Sequence, residues 1–454
     1  MVLSSAVTVV ALVVGGTGAS ADGTAAPAAA APAPAVLAPA VTTAGDDIPT
    51  TAGLQRALAQ LVQDKALGTL NFAVTDGGTG KLLLGSGEGT PATPASTTKL
   101  ATSVAALTLL PADTRITTRV VAGATPSDIT LVGGGDPTLS GLPVGQIRIA
   151  GAPVDTDSAP ASLIELAQRT AAALKAAGVA TVHLGYDTSL FTGPAAHKYN
   201  DGYNIGPMAS LMVDEGRNDP TEDTDVPPRV VDPAAQAAGR FADLLGAQGI
   251  TVGGKPAQVV AAAGAAPLAQ VQSPTLARLV ERLLTNSDNT LAEAVARQVA
   301  IAAHQPVSYD GAAAAVTQTL QGLGIPMAGV QLNDGSGLNV KNTIPPLVLS
   351  DLLALAASPE HPQLRPVLTG LPIGAFSGTL LSRFNAAQGT VGGAGIVHAK
   401  TGSLSNVNTL AGTVVDADGR LLVFALMTKT TAGADTARAA MDRIVTALAG
   451  CGCK

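Results

Sequence analysis

Three short polar stretches constrain this chain more than anything else in it: Ser96-Thr97-Thr98-Lys99, Ser287-Asp288-Asn289 and Lys400-Thr401-Gly402. They stand 191 and 113 positions apart, so a fold that gathers them must send a long block of chain out after the first and bring it back before the second. Ser96 follows Pro94 in TPASTTKL and precedes the apolar run LATSVAALTLL, which predicts a helix beginning at the serine with Lys99 one turn later on the same face. A serine hydroxyl is a poor nucleophile until a neighbour takes its proton. A desolvated lysine amine can be that base, and a helix N-terminus favours the negative charge that develops.

Each stretch also has an ordinary reading. Ser96 can be a helix cap with a solvated Lys99, Ser287-Asp288-Asn289 can cap the helical pattern LAEAVARQ, and Lys400-Thr401-Gly402 can end a strand in solvent. The conjunction is what weighs against these: of ten lysines only Lys99 has a serine three positions before it, and only Lys400 opens Lys-Thr-Gly.

The rest of the chain supplies the frame. MVLSSAVTVVALVVGGTGASA predicts a secretory signal or an anchor over residues 1–21, although no Lys or Arg precedes its apolar run. That run is short of the roughly 20 residues a membrane span needs. Residues 22–49 form an Ala/Pro-rich linker. GLQRALAQLVQDK then has helical period, and TLNFAVTD and KLLLGSG flank Gly77-Gly78 as a hairpin. Residues 113–265 mix short strands (RITTRVVAG, DITLVGGG, VATVHLGYD) with helices such as ASLIELAQRTAAALKAAG, and read as inserted domain material. After Ser273 come the helical patterns TLARLVERLLTN, LAEAVARQVAIAAH and LVLSDLLALAAS. Three strands, IVHAKTGS, VNTLAGTVVDADG and RLLVFALMTKT, follow them, and a final helix runs from about Asp435 to Leu448.

With 454 residues, 46% of them hydrophobic, the chain has material for two or three domains. A net charge of -7 without any Lys/Arg run excludes a nucleic-acid partner, and 2% aromatics with no Trp favour a peptide-like ligand over a glycan. Five scattered His residues and two Cys show no zinc-ligand spacing, so neither a metal nor a cofactor is expected. Cys451 and Cys453 sit too close together to staple domains; a local disulfide, pairing between chains and free thiols stay open, and a dispensable tail is the plainest reading.

The three motifs, in this order, match the set S-x-x-K, S-D-N and K-T-G of the penicillin-recognising serine hydrolases. Taken with LPADTRITT, VGGGDPTL at 132–139, YDTSLFTGP at 186–194, VDEGR at 213–217, DGSGL at 334–338 and AKTGSL, the chain from about residue 50 to 450 resembles the D-alanyl-D-alanine carboxypeptidase/endopeptidase family called DacB or penicillin-binding protein 4, peptidase family S13. The resemblance implies an α/β (α+β) hydrolase domain built from residues 50–112 and 266–454, with a five-stranded antiparallel sheet flanked by helices. Two small β-rich domains would be inserted between its halves. It implies an exported enzyme of the cell envelope, on the periplasmic or extracellular side of the cytoplasmic membrane, at most peripherally associated with that membrane. The partners it implies are peptidoglycan stem peptides as substrates and β-lactams as acylating inhibitors.

Carried over, Ser96 is the nucleophile, Lys99 its base and Ser287 a proton relay; Asn289 holds the substrate amide, and Lys400 supplies positive charge near Ser287. Thr401 and Ser403 bind the terminal carboxylate beside Gly402, and the backbone N–H groups of Ser96 and Ser403 form the oxyanion hole. Asp201, in KYNDGYN, is either the aspartate that receives the amine of the stem-peptide side chain or a turn former. Asp136, Asp334 and Ser336 read as turn formers. Where the family continues DGSGL with Ser and Arg, the Arg helping to bind the side-chain carboxylate, this chain has Asn339 and Val340, then Lys341, which leaves the side-chain preference open. The competing readings are a β-lactamase or esterase of the same superfamily and a non-catalytic envelope scaffold, which would need none of the motif residues.

Overall fold

Strands from the two ends of the chain pair with each other, and that pairing organises everything else. The computed structural model describes residues 48–454 apart from 200, 223 and 225, so the expected signal or anchor and nearly all of the linker lie outside the described residues. Helix α1 (Thr51–Leu58) starts at Thr50, whose hydroxyl accepts from Gly53 N. Strands β1 (Thr69–Asp76) and β2 (Leu82–Ser86) form the expected hairpin, and α2 (Thr98–Leu109) follows the turn that carries Ser96. Near the other end, β11 (His398–Leu404), β12 (Val407–Val415) and β13 (Leu421–Lys429) precede α10 (Ala434–Ala449). All five strands are antiparallel in the order β11-β12-β13-β1-β2, with β1 pairing β13 from Thr69 opposite Lys429 to Asp76 opposite Leu422.

Side chains alternate across a strand, and both faces of this sheet are buried. From β13, Val423, Ala425 and Met427 enter a core with α2 and three helices of the later chain: α5 (Leu276–Thr285), α6 (Asn289–Ala302) and α8 (Pro346–Ala357). Leu422, Phe424 and Leu426 enter the opposite core with α1 and α10. Helices α7 (Tyr309–Gly322) and α9 (Arg365–Thr369) complete the first layer. The sheet ends at β11, so this strand keeps one edge unpaired within the sheet, and that edge carries Lys-Thr-Gly.

The long middle block has its own sheet and core. Strands β3 (Thr117–Ala122), β4 (Asp128–Val132), β7 (Thr181–Asp187), β8 (Thr251–Val252), β9 (Ala257–Gln258) and β10 (Pro267–Gln272) form six strands in which β7 pairs in parallel with β4, β8 and β9. Helices α3 (Leu163–Ala176) and α4 (Pro233–Ala247) pack on it through Leu166, Leu174, Ala237, Phe241 and Leu245. β5 (Arg148–Ile149) and β6 (Ala152–Pro153) make a small separate hairpin.

Two local outcomes differ from the sequence expectation. The helical period of GLQRALAQLVQDK continues to Lys65, yet α1 ends at Leu58; Asp64 caps a separate short turn by accepting from Ala66 N, which competes with helix continuation. The CGCK tail is not a loose end. Cys451 and Cys453 are disulfide-bonded to each other, Cys451 is buried, and the Cys453 carbonyl accepts from Thr50 N at 2.8 Å. A β-carbon on Gly53 would lie 2.3 Å from that carbonyl, so the tail seats against the start of α1 because Gly53 leaves it room. No helix among the described residues is long and apolar enough to cross a membrane.

Candidate active site

Pro94 opens a single 3-10 turn, Ala95–Thr97, before α2 begins at Thr98. Its carbonyl accepts from Thr97 N, from the Thr97 hydroxyl and from the Thr409 hydroxyl on β12. The turn is therefore tied to the sheet. Ser96 makes no side-chain cap bond, which removes its plain helix-cap reading. Ala95 has φ +48°, a left-handed conformation costly for a residue with a β-carbon, held at the residue before Ser96.

Lys99, one turn on, is fully buried. Its Nζ lies 2.9 Å from Ser96 Oγ, 2.7 Å from Asn289 Oδ1 and 2.7 Å from the Ser336 carbonyl. A neutral amine has two N–H donors and one lone pair. Here two partners can only accept, and the third is a hydroxyl able to donate, so the neutral amine is fully satisfied with its lone pair on Ser96. Burial pushes Lys99 down to about 8, against the pull of the Asp334, Asp288 and Glu293 charges.

Ser287 sits at φ +57° immediately before α6. Asp288 caps that helix by accepting from Leu291 N, which turns Asn289 toward Lys99. From β11, Lys400 reaches Ser287 Oγ and the Thr401 carbonyl, both at 2.8 Å. Burial, and then the Lys99 charge, push Lys400 well below its ordinary value. The three motifs thus meet: Ser96, Lys99 and Asn289 form one hydrogen-bonded group, Ser287 and Lys400 another. Along β11, Lys400 and Gly402 face the Ser96 turn and Ser287, while Thr401 and Ser403 face the other way; Thr401 Oγ1 lies 2.7 Å from Thr379 Oγ1.

Gly402 is a close-approach glycine. A β-carbon there would lie 2.2 Å from Thr409 Oγ1, 2.8 Å from the Pro94 carbonyl and 2.9 Å from Ser96 N. Gly402→Ala is expected to push β11 off the Ser96 turn and slow acylation by a penicillin about 100-fold, the size of effect a 1 Å misplacement brings. Stopped-flow labelling checks this; an unchanged rate would show that β11 has slack against Ser96.

The structure adds residues that the motif reading left out. Glu293, on α6, accepts from Gly335 N and Ser336 N and faces Arg297. Asp334 accepts from Gly337 N, Asn339 N, Asn342 Nδ2 and His197 Nε2. The DGSGL turn is built by these carboxylates so that its Ser336 carbonyl meets Lys99. Burial opposes the Asp334 charge, but its hydrogen bonds from His197, Asn342 and Gly337 hold the carboxyl below its usual value. The one clue in the sequence was a Glu and an Arg four apart inside the apolar LAEAVARQVAIAAH. His197, Glu293 and Asp334 place metal-ligand atoms within 4.8 Å of one another, yet each of these atoms already holds a hydrogen bond or ion pair within the protein.

VDEGR also acquires a role. Glu215, buried at φ +57°, pairs with Arg282, Arg217 and Arg229. Burial works against its charge, but the three guanidinium groups outweigh it and hold Glu215 far below the carboxylate range. Arg282 also lies 3.7 Å from Asp288, whose carboxyl burial and the Glu215 charge push up to about 6. The middle block therefore grips the Ser287 loop through this cluster.

Asp201 is exposed, and its carboxylate accepts from Tyr203 N, Asn204 N and Asn204 Nδ2. It closes a turn whose Asn204 carbonyl accepts from Asn289 Nδ2 at 3.0 Å, so its loop borders the site. Asn339 is buried on Asp334, and Val340 is exposed.

A family model described as the D-Ala-D-Ala carboxypeptidase 3 (S13) family matches residues 54–227 and 218–449. The carboxypeptidase DacB of Mycolicibacterium smegmatis is 37% identical over 414 residues, covering 89% of this chain and 85% of that protein. A carboxypeptidase of Mycobacterium tuberculosis is 38% identical over 415 residues, with the same coverage. The crystal structure of penicillin binding protein 4 (dacB) from Haemophilus influenzae superposes with a TM-score of 0.67 at 20% identity, covering 85% of this chain and 97% of that one, and so shares the fold.

Proposed function

The chain belongs to the D-Ala-D-Ala carboxypeptidase 3 (S13) family, and from that premise we propose an exported enzyme that trims or cleaves peptidoglycan stem peptides through an acyl-enzyme on Ser96. The observation that carries this reading is the buried Lys99 amine, 2.9 Å from Ser96 Oγ, with its other two partners able only to accept. Neutral Lys99 takes the Ser96 proton as Oγ attacks the carbonyl of the penultimate D-Ala. The N–H groups of Ser96 and Ser403 hold the oxyanion, each worth a few kcal/mol in the transition state. Ser287, beside the Lys400 amine at 2.8 Å, relays the proton taken by Lys99 to the D-Ala amine as its C–N bond breaks, and ends the step as a hydroxyl again. Water then hydrolyses the ester. Asn289 aligns the substrate amide, Thr401 and Ser403 beside Gly402 bind the terminal carboxylate, and Asp201 receives the side-chain amine.

The same serine is proposed to be acylated by β-lactams and to open D-Ala cross-links as an endopeptidase. The site of action is the cell envelope, with peripheral membrane contact at most. Residues 113–265 are read as material inserted into a hydrolase domain made of 50–112 and 266–454.

The test is incubation of the purified protein with a fluorescent penicillin and, separately, with a diaminopimelate-containing pentapeptide. A stable label and released D-Ala are expected. Absence of both label and D-Ala would overturn the reading, and fast turnover of nitrocefin would replace it with a β-lactamase.

A further inference from the structure

We propose that Arg282, in the last turn of α5 and anchored by Glu215 of the middle block, is the positioning residue that holds Ser287 in place for the proton relay. This role rests on the carboxypeptidase reading above. Ser287 is the single residue between the Asn286 cap of α5 and the Asp288 cap of α6. Its φ of +57° is a conformation that a residue with a β-carbon rarely takes, so the joint keeps that shape only where neighbouring contacts impose it. The Ser287 hydroxyl itself is on Lys400, 2.8 Å away.

Two backbone bonds and one side-chain pair impose it. Asn286 N donates to the Arg282 carbonyl and Asp288 N to the Leu283 carbonyl, which folds the chain on either side of Ser287 back onto α5. Asp288 divides its carboxylate: Oδ1 caps α6 by accepting from Leu291 N at 2.9 Å, while Oδ2 faces Arg282 Nη2 at 3.7 Å. That Nη2 carries two hydrogens, and its other partner is Glu215 Oε1. Glu215 is itself fixed. Its Oε2 takes Arg217 at 3.3 Å and Arg229 at 3.2 Å, and its carbonyl accepts from Arg229 at 2.7 Å. A long side chain that would otherwise wander thus becomes a strut from the middle block to the residue after Ser287. With side chains only 16% and 11% exposed, Arg282 and Asp288 are poorly screened by water.

Loss of the strut would let Asp288 shift and carry the Ser287 hydroxyl away from its place beside Lys400, and proton delivery is what suffers. As Ser96 Oγ bonds to the carbonyl carbon and the C–N bond breaks, the nitrogen cannot leave as an anion and needs the proton that Ser287 relays. A thioester in place of that amide breaks its C–S bond and releases a thiolate, whose parent thiol has a pKa of about 8.5, and needs no proton. Both substrates give the same acyl-enzyme, so their kcat/KM values differ only through the departure of the leaving group.

The experiment measures kcat/KM of the purified protein on a pentapeptide ending in D-Ala-D-Ala and on the same peptide with sulfur in place of the scissile N–H. For Arg282→Met the amide is expected to lose roughly 10- to 100-fold and the thioester less than about threefold, with Arg282→Lys between that variant and wild type. Ser287→Ala should show the same split more strongly. Glu215 keeps Arg217 and Arg229 in Arg282→Met, so its buried charge stays paired, and the gentler Arg282→Lys carries the test independently. With an active wild type, equal losses on both substrates or no loss on the amide overturn Arg282 alone. Equal losses in Ser287→Ala overturn the relay and Arg282 with it. A wild type inactive on the amide, whatever it does to the thioester, overturns the carboxypeptidase reading and the Arg282 role together.

Discussion

Ser96→Ala is expected to lower D-Ala release by about 10,000-fold or more and to abolish covalent labelling by penicillin, while the protein stays folded. The chemistry needs an oxygen nucleophile, and Ser96 Oγ is the hydroxyl on the Lys99 amine. The stability cost is small because the Ser96 side chain caps nothing; the loss is the one bond to Lys99, about 1 kcal/mol. Mass spectrometry of the penicillin adduct and a thermal melt read both parts. An adduct that survives in the variant would move the nucleophile elsewhere.

The second large effect concerns Lys99 and pH. As a base it must be neutral, and burial brings it to about 8. Its neutral fraction therefore grows about tenfold per pH unit below that value and levels off above it, and acylation should follow with the same slope. At pH 6 roughly one molecule in a hundred is competent. Lys99→Met should lose about 1,000-fold or more and flatten this limb of the profile.

The same shift has a stability consequence. The folded-state value lies below the ordinary 10.5, so the unfolded chain binds this proton more tightly. The penalty for burying the charge is thus fully present below pH about 8 and disappears as pH rises toward 10.5. Lys99→Met removes it, so the melting temperature of the inactive variant should exceed wild type at pH 7 and lose that advantage by pH 10.5. A wild-type rate that is flat between pH 6 and 8 would contradict the neutral-base assignment.

The groups of the candidate site were legible because short stretches carry them. Ser96 and Lys99 share one turn, Asp288 and Asn289 open one helix, and Lys400 starts the Lys-Thr-Gly of β11. The hairpin at Gly77-Gly78 and the helices α2, α5 and α6 were legible for the same reason, since period and turn chemistry are local. What failed to show locally was every contact that closes over distance. Ser336 meets Lys99 across 237 positions, and Arg282 meets Glu215 across 67. The cysteine tail was undecided for a similar reason: whether CGCK hangs free depends on a glycine in α1 that leaves it space.

By itself the sequence determined which chemistry is available: a hydroxyl, two amines and an amide on three short stretches far apart in the chain. The tertiary structure decided what state those groups are in. A lysine becomes a base only when its charge is costly. That cost is set by the burial of Lys99 beside Asn289 and Ser336, which outweighs the pull of the Asp334, Asp288 and Glu293 charges and which no spacing along the chain encodes.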